Sequence, residues 1–353
     1  MKQTFNFLSV LVIQKIFRGK YYMNYILLIV GFVLLVKGAD FFVDGASSIA
    51  ESLKIPSLII GLTIVAFGTS APEAAVSITA ALSGQNGMAM GNVIGSNIFN
   101  LLMVVGISAM IKPLLVEKSV RIKEFPFLIL ISILTFVIIG DQFFNNTSVN
   151  QLSRGDGLVL LMFFAIFMYS LIMSALNSRN QALEAQKANP NEKITVEIDA
   201  PVETMPISKA IIFSIGGIIA IVLGGQIVVN AATGIAKSFG VSDQLIGLTI
   251  VAIGTSLPEL VTSIIAATKG ESDIALGNVI GSNMFNILFV LGASATISPI
   301  AIDPKLFVDC LFMIGVTILG YVFTIARKDI NRVEGAILTA LYVGYTAYLI
   351  MGI

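Results

Sequence analysis

The sequence contains no histidine and a single cysteine, Cys310. Without histidine, zinc sites of the HExxH type, Ser-His-Asp triads and histidine proton relays are excluded. One cysteine forms neither a disulfide framework nor a thiolate metal cluster. Basic and acidic residues number 21 each, so the chain lacks the positive excess typical of nucleic-acid-binding proteins, and we expect no nucleic-acid partner.

Charge of either sign is also scarce. Only 12% of the 353 residues are charged and 56% are hydrophobic, whereas soluble domains carry roughly 25% charged residues. At about 20 apolar residues per membrane span, the chain has room for about ten helices. The composition therefore predicts an all-α, multi-pass protein of the cell (inner or plasma) membrane.

Apolar runs between polar breaks mark the spans. Gly, Pro, Ser, Thr and Asn interrupt the second, third, seventh and eighth spans, which we therefore expect to be broken helices. The ten predicted spans are 24–48, 57–82, 88–111, 125–140, 157–176, 210–236, 243–268, 273–297, 306–325 and 333–351.

The spans divide into two halves of five, 23–176 and 210–353. The polar segment 177–209 between them is charged and contains proline, and it is interpreted as a flexible linker. The extension 1–22 contains an apolar stretch too short to span a membrane. It is either an interfacial helix or a start-site artefact with Met23 as the true start.

Loop charges predict the orientation. The loops that follow odd-numbered spans carry most of the basic residues, so the positive-inside rule places the linker in the cytoplasm and both termini outside. The basic residues on the predicted cytoplasmic side are Lys54, Lys112, Lys118, Arg121, Lys123, Arg179, Lys187, Lys193, Lys209, Lys269, Arg327, Lys328 and Arg332, against Arg154, Lys237 and Lys305 opposite.

An internal repeat relates the two halves. IGLTIVAFGTSAPEAAVSITAALSG (60–84) recurs as IGLTIVAIGTSLPELVTSIIAATKG (246–270), and GNVIGSNIFN (91–100) recurs as GNVIGSNMFN (277–286). The offset is 186 throughout, and 27 of the 44 positions in 57–100 match. Because each half has an odd number of spans, the halves enter the membrane from opposite sides. Such inverted repeats are characteristic of secondary transporters.

Each copy of the repeat contains one glutamate near the middle of a span: Glu73 in span 2 and Glu259 in span 7. A carboxylate at that depth costs several kcal/mol unless it is paired or coordinated, and no basic partner is evident. Pro72 and Pro258 lie one residue earlier and deprive nearby carbonyls of helical hydrogen bonds. Freed carbonyls at this depth are tolerated where they line a cavity or meet a ligand.

Helical spacing gathers further oxygens around each glutamate. Thr69 and Ser70 share a face with Glu73, and Ser96 lies one turn from Asn100. The second copy supplies Thr255, Ser256, Ser282 and Asn286. An all-oxygen set favours hard cations, either one Ca²⁺ or two to three Na⁺. Shared ligands cannot hold both at once, which is the physical basis of exchange.

Two groups of polar residues have open interpretations. Asn92, Asn97, Asn278 and Asn283 either ligate the ion or satisfy broken backbone. Asp40, Asp44 and Glu51, at the end of span 1, form either an ion vestibule or a solvated helix end.

At these residues the sequence resembles the sodium/calcium exchanger family of the calcium/cation antiporter superfamily. The resemblance is carried by GTSAPE (68–73) with GSNIFN (95–100), and by GTSLPE (254–259) with GSNMFN (281–286). It extends from about residue 24 onward and is closest to the compact prokaryotic members.

The resemblance implies ten transmembrane helices in two inverted halves, and alternating access in which spans 1 and 6 slide against the rest. It implies that Glu73 and Glu259 are the shared Ca²⁺/Na⁺ carboxylates and that main-chain oxygens of Thr69 and Thr255 complete the calcium site. The other implied ligands are carbonyls of Ala66 and Ala252 and side chains of Ser70, Ser96, Ser256 and Ser282 at sodium sites, with Asn100 and Asn286 at the centre.

One departure bears on the coupling ion. Some relatives, including potassium-dependent exchangers, carry aspartate where this chain has Asn286, so only two carboxylates are expected here. The Gly-Asn-Ala-x-Glu pattern of proton/calcium relatives is absent. We expect a transporter, not an enzyme, with calcium and sodium ions and the bilayer as its partners, no cofactor and no protein partner. H⁺- or K⁺-coupled antiport and a passive cation channel remain as alternatives.

Overall fold

The computed structural model describes residues 2–84, 86–144, 150–188, 205–240, 252–302 and 304–351, with side chains from Tyr22 onward except those of Asn86, 185–188, Ala252, Pro304 and Lys305. Helices dominate this part of the chain, as the composition predicts. In the first half they are α1 (Lys2–Leu53), α2 (Ser57–Ile60), α3 (Ala66–Thr69), α4 (Ala71–Leu82), α5 (Asn86–Phe99), α6 (Val105–Ile111), α7 (Phe125–Ile138), α8 (Asp141–Phe144) and α9 (Arg154–Ala188).

The described helices of the second half follow the linker. Its helices are α10 (Ile207–Ser238), α11 (Ala252–Thr255), α12 (Leu257–Lys269), α13 (Ser272–Phe285), α14 (Gly292–Ile297), α15 (Pro304–Ala326) and α16 (Arg332–Met351). In the described part of the chain, four π-helical segments, Gly61–Val65, Asn100–Val104, Val120–Glu124 and Asn286–Leu291, widen the helices that contain them. The described residues of each half also hold two short strands, β1 (Leu114–Leu115), β2 (Gln151–Leu152), β3 (Ile300–Ala301) and β4 (Asp329–Ile330).

Seven of the described helical segments are long and apolar enough to cross a membrane, or eight if the bent pair Ser57–Thr69 and Ala71–Leu82 counts as one span. These eight coincide with predicted spans 1, 2, 3, 5, 6, 8, 9 and 10. Predicted span 4 contains the 14-residue helix α7, and the first part of predicted span 7 lies outside the described residues. The segments Gly87–Ile111 and Ser272–Ile297 are the most buried, at 72% and 94%, so they form the centre of the bundle.

Three of the four expected broken helices are described over their whole length, and they are of two kinds. Span 2 bends by 51° between α3 and α4, where Pro72 withholds a backbone donor. Spans 3 and 8 contain no proline and run on through π-helical turns that begin at Asn100 and Asn286. The prediction that they are broken is therefore wrong, because a wider turn keeps their backbone hydrogen-bonded.

Helices α1 and α10 form an antiparallel pair through a seam of small residues at seven-residue intervals. Gly31 faces Gly224, Gly38 faces Gly217, and Gly45 faces Ala210. A Cβ added to Gly217 would lie 2.8 Å from the carbonyl oxygen of Gly38. The two backbones therefore approach closely, as small residues permit in membrane proteins.

The strands join the two halves crosswise. β1 pairs antiparallel with β4, and β2 pairs antiparallel with β3. The closing helix of each half begins with a reciprocal cap in which Ser153 bonds Asp156 and Asn331 bonds Glu334. These reciprocal bonds satisfy backbone donors at the start of the two helices.

The predicted linker needs one correction. Helix α9 continues past residue 176 to Ala188, so the first part of the linker segment is helical. The stretch NSRNQALEAQKA (177–188) is rich in Ala, Gln, Leu, Glu and Lys, which favour helix in water as well as in lipid. At the other end of this half, α1 begins at Lys2 and runs without a break through the extension.

Candidate functional site

Two matching helix breaks position the glutamates. The backbone leaves the helical conformation at Ser70 (φ −83°, ψ 6°) and at Ser256 (φ −93°, ψ 7°), and α4 and α12 start immediately after them. Glu73 and Glu259 lie in the first turns of these two helices, and both are fully buried. The positive end of each helix dipole thus lies beside a carboxylate, where it stabilises negative charge.

Each carboxylate accepts a hydrogen bond from the other half. Ser70 Oγ donates to Glu259 Oε1 over 2.8 Å, and Ser256 Oγ donates to Glu73 Oε1 over 2.9 Å. Ser256 Oγ also lies 3.2 Å from Ser96 Oγ. Neither glutamate has an ion-pair partner in the described part of the chain. The reciprocal bonds place both glutamates at the junction of the two repeats.

Asn92 and Asn278 tie each glutamate-bearing helix to the next span. Asn92 Nδ2 donates to Ser77 Oγ at 2.9 Å and to the Glu73 carbonyl at 3.4 Å. Asn278 Nδ2 makes the equivalent bonds to Ser263 Oγ at 2.9 Å and to the Glu259 carbonyl at 3.3 Å. These bonds fit the alternative in which the asparagines satisfy backbone carbonyls.

A second crossed pair lies between spans 3 and 8. Asn97 Nδ2 donates to the Asn283 carbonyl at 3.3 Å, and Asn283 Nδ2 donates to the Asn97 carbonyl at 3.2 Å. Their side-chain oxygens accept bonds from the Nδ2 groups of Asn286 and Asn100 at 3.3 and 3.0 Å. The amide nitrogens of Asn100 and Asn286 therefore point to neighbouring amides, which leaves their own oxygens available.

Four buried acceptor oxygens in this region have no hydrogen-bond donor among the described residues. They are Glu73 Oε2, Glu259 Oε2, Asn100 Oδ1 and Asn286 Oδ1. They form two pairs related by the repeat, and burying such groups without a partner is costly. Acceptors that lack a donor are suited to a bound cation. No group of three or more Asp, Glu, His or Cys side chains converges in the described ranges, so further oxygens available to a cation here would be neutral.

The other expected site residues surround this cluster. Thr69 Oγ1 bonds Asn278 Oδ1 at 2.9 Å and lies 3.3 Å from the carbonyl oxygen of Ala66. Thr255 and Ser282 are buried, and Ser282 Oγ has no partner among the described residues. Ala252 is the first residue of α11, and its side chain lies outside the description.

Two features near the site were not predicted. Ser77 and Ser263 lie one helical turn after the glutamates and anchor Asn92 and Asn278. Their identity in both repeats and their i, i+4 spacing from the glutamates are a signal that could have revealed them. Lys269, at the end of α12, forms an ion pair with Asp40 and Asp44 on α1. This contact joins spans that are distant in sequence, and no local pattern indicates it.

Comparison with known proteins gives the same family that the sequence motifs resemble. The family model described as "Sodium/calcium exchanger protein" matches residues 23–173 and 209–351. Among curated relatives, CaxA of Alkalimonas amylolytica is 42% identical over 325 residues, covering 91% of this chain and 96% of the relative. The sodium/calcium exchanger MaX1 of Methanosarcina acetivorans is 33% identical over 354 residues, covering 92% and 98%.

A solved structure agrees in three dimensions. The sodium-calcium exchanger NCX_Mj, soaked with Na⁺ and Sr²⁺, superposes with a TM-score of 0.76 at 30% identity and covers 92% of this chain and 98% of its own. The family resemblance stated from the GTSAPE and GTSLPE motifs is thus confirmed. The chain belongs to the sodium/calcium exchanger family.

Proposed function

We propose that the protein is a secondary active antiporter that exchanges Ca²⁺ for Na⁺ at the Glu73/Glu259 site. The observation that carries the proposal is the set of four buried acceptor oxygens without donors, two of them carboxylate and two amide. Calcium binds six to eight oxygens, and two carboxylates balance its charge. Main-chain carbonyls of Thr69 and Thr255 would complete such a site.

Sodium would compete for the same oxygens. Ser70, Ser96, Ser256 and Ser282, with the carbonyls of Ala66 and Ala252, would provide the flanking sodium ligands. Since the two glutamates serve both ions, occupancy by one excludes the other. The names of two similar proteins support this pairing: MaX1 and NCX_Mj are both described as sodium/calcium exchangers.

Alternating access would arise from ten spans in two inverted five-helix halves. Ser70 donates to Glu259 and Ser256 donates to Glu73, so each half bonds the carboxylate of the other. This reciprocity supports such pseudo-symmetry. In this topology the linker segment would lie in the cytoplasm and both termini outside, which the loop charges favour. The close seam between α1 and α10 suits two helices that move as one unit against the remainder.

The glutamates provide the first test. Glu73→Gln and Glu259→Gln retain the side-chain shape but each remove one of two negative charges, so we expect either change to abolish Na⁺-gradient-dependent ⁴⁵Ca²⁺ flux in proteoliposomes. Glu184→Gln, on the exposed end of α9, is the matched control and retains full flux. Flux that survives either site substitution would contradict the assignment.

The coupling ion is tested by ion replacement in the same proteoliposomes. We expect an outward Na⁺ gradient to drive Ca²⁺ uptake, and equal K⁺ or H⁺ gradients to be ineffective. Uptake driven by H⁺ or K⁺ would select the corresponding antiporter. Calcium flux down its own gradient without any ion on the opposite side would indicate a channel.

A further inference from the structure

We propose that Lys269, Asp40 and Asp44 form a latch that holds one side of the transporter closed and makes its two access states unequal in energy. The inference rests on the alternating access proposed above, but not on the identity of the coupling ion. It starts from an ion pair between two helices. Lys269 Nζ lies 2.7 Å from Asp40 Oδ1 and 3.0 Å from the Asp40 carbonyl oxygen, and it also contacts Asp44 Oδ1.

The ion pair connects α1 to the helix that carries Glu259. Lys269 is the last residue of α12, and Glu259 lies in the first turn of the same helix. The two residues are about 15 Å apart at 1.5 Å per residue. Asp40 and Asp44 lie on α1, which packs along α12. The ion pair therefore fastens α1 to the far end of the helix that carries a site carboxylate.

The internal repeat supplies a comparison within the chain. At the offset of 186, Asp40 and Asp44 correspond to Gln226 and Asn230, and Lys269 corresponds to Ser83. Gln226 Nε2 bonds Asn230 Oδ1 at 3.0 Å on the same helix, and Ser83 Oγ bonds the Thr79 carbonyl at 2.8 Å. The equivalent positions on the opposite side thus carry no charge, and the bonds described for them remain within one helix.

The two sides also differ in packing. Within the described residues, α10 does not pack along α4 as α1 packs along α12. A cavity of about 420 Å³ lies beside α4 instead, lined by Ala75, Val76, Thr79, Ala80, Ser83 and Met88. The residues of α12 at the repeat-equivalent positions include Thr262, which is fully buried. The structure is therefore open along α4 and closed along α12, the side that the latch fastens.

The physical consequence follows from the charges. For α1 to slide away from α12, the Lys269 ammonium must leave two carboxylates. The mirror-image movement of α10 from α4 breaks no equivalent ion pair in the described residues. A partly exposed ion pair contributes about 0.2–1 kcal/mol per contact, so two contacts can shift a two-state equilibrium by about fivefold. Closure of the α12 side is the favoured state.

Cysteine accessibility tests the latch without reference to transport. Cys310→Ala removes the single native cysteine, after which Thr79→Cys reports the open face of α4 and Thr262→Cys reports the covered face of α12. With the latch intact, we expect a membrane-impermeant maleimide to label the cysteine at position 79 and to spare that at position 262. Adding Lys269→Ser, which reproduces the residue of the other repeat, should raise labelling at 262 and lower it at 79 by about fivefold.

Two controls separate the latch from a general effect of charge. Lys37→Ser also removes a positive charge near Asp40, but Lys37 is 3.7 Å away on the same helix and links no second helix, so labelling should not change. Lys269→Arg keeps the positive charge opposite Asp40 and Asp44 and should retain the original pattern. Labelling that is unaffected by Lys269→Ser, is changed equally by Lys37→Ser, or is changed by Lys269→Arg as much as by Lys269→Ser overturns the proposal. Failure of Na⁺/Ca²⁺ exchange with this labelling pattern intact would instead overturn the proposed function alone.

Discussion

At the residue scale, the glutamates of the candidate site are predictable from the sequence, but their hydrogen-bond partners are not. Glu73 and Glu259 stand out in the sequence because an acid within an apolar span requires compensation. The source of that compensation is a serine from the opposite repeat, at 2.8 and 2.9 Å. In the sequence, each serine lies three residues before the glutamate of its own repeat. Packing of the two halves brings it to the glutamate of the other repeat instead.

This exchange predicts the effect of serine substitutions. Ser70→Ala and Ser256→Ala each remove a hydrogen bond to a buried carboxylate, an interaction that contributes about 1.5–3 kcal/mol. We therefore expect the Ca²⁺ concentration for half-maximal uptake to rise roughly tenfold or more in each variant. The measurement is ⁴⁵Ca²⁺ uptake against calcium concentration.

The control for the serine variants is Ser132→Ala. Ser132 is equally buried, but its hydroxyl donates to the Leu128 carbonyl within its own helix. It should leave uptake unchanged. An unaltered calcium dependence in both site variants would contradict the role of these serines.

At the element scale, helix breaks and helix pairing determine where the site residues lie. The proline break in span 2 is visible in the sequence, since proline cannot donate a backbone hydrogen bond. The π-helical turns at Asn100 and Asn286 are not, because they depend on how side chains pack around an otherwise regular helix. The glycine seam of α1 and α10 likewise becomes meaningful only when the partner helix is known.

The seam predicts a sharp difference between adjacent glycines. In Gly217→Ala the new Cβ would lie 2.7 Å from Phe42 Cβ and 2.8 Å from the Gly38 carbonyl, so the helices must separate. Overpacking of this kind costs about 1–3 kcal/mol. We expect a lower thermal unfolding temperature in detergent and slower flux.

Gly216→Ala is the control for the seam because it changes the next residue of the same helix. A Cβ at Gly216 meets no described atom within 4 Å, so stability and flux should match those of the unaltered protein. Equal effects of the two substitutions would show that close approach of the helices is unimportant.

At the scale of the whole molecule, the two halves depend on each other. The crossed serine–glutamate bonds, the crossed strand pairs and the Asn97–Asn283 contacts all join one repeat to the other. Within the described residues, buried polar groups of each half therefore bond to groups of the other half. All of these contacts are non-covalent, and none of them involves the linker.

Splitting the chain tests this dependence. Fragments 1–188 and 205–353, co-expressed with an affinity tag on one of them, should purify together and support Na⁺-dependent ⁴⁵Ca²⁺ flux, while either fragment alone should support none. The intact tagged chain sets the reference rate. Flux from a single fragment would contradict the requirement for both repeats.

The sequence by itself determined a helical membrane protein, a twofold repeat, the family and the two glutamates proposed for the site. These follow from composition, periodicity and local motifs, which act over a few residues or recur at a fixed offset. Tertiary structure decided which polar group meets which, where helices widen rather than break, and that Lys269 reaches Asp40 and Asp44. Those outcomes depend on contacts between segments far apart in the chain, where the geometry of packing, and not local preference, selects the partner.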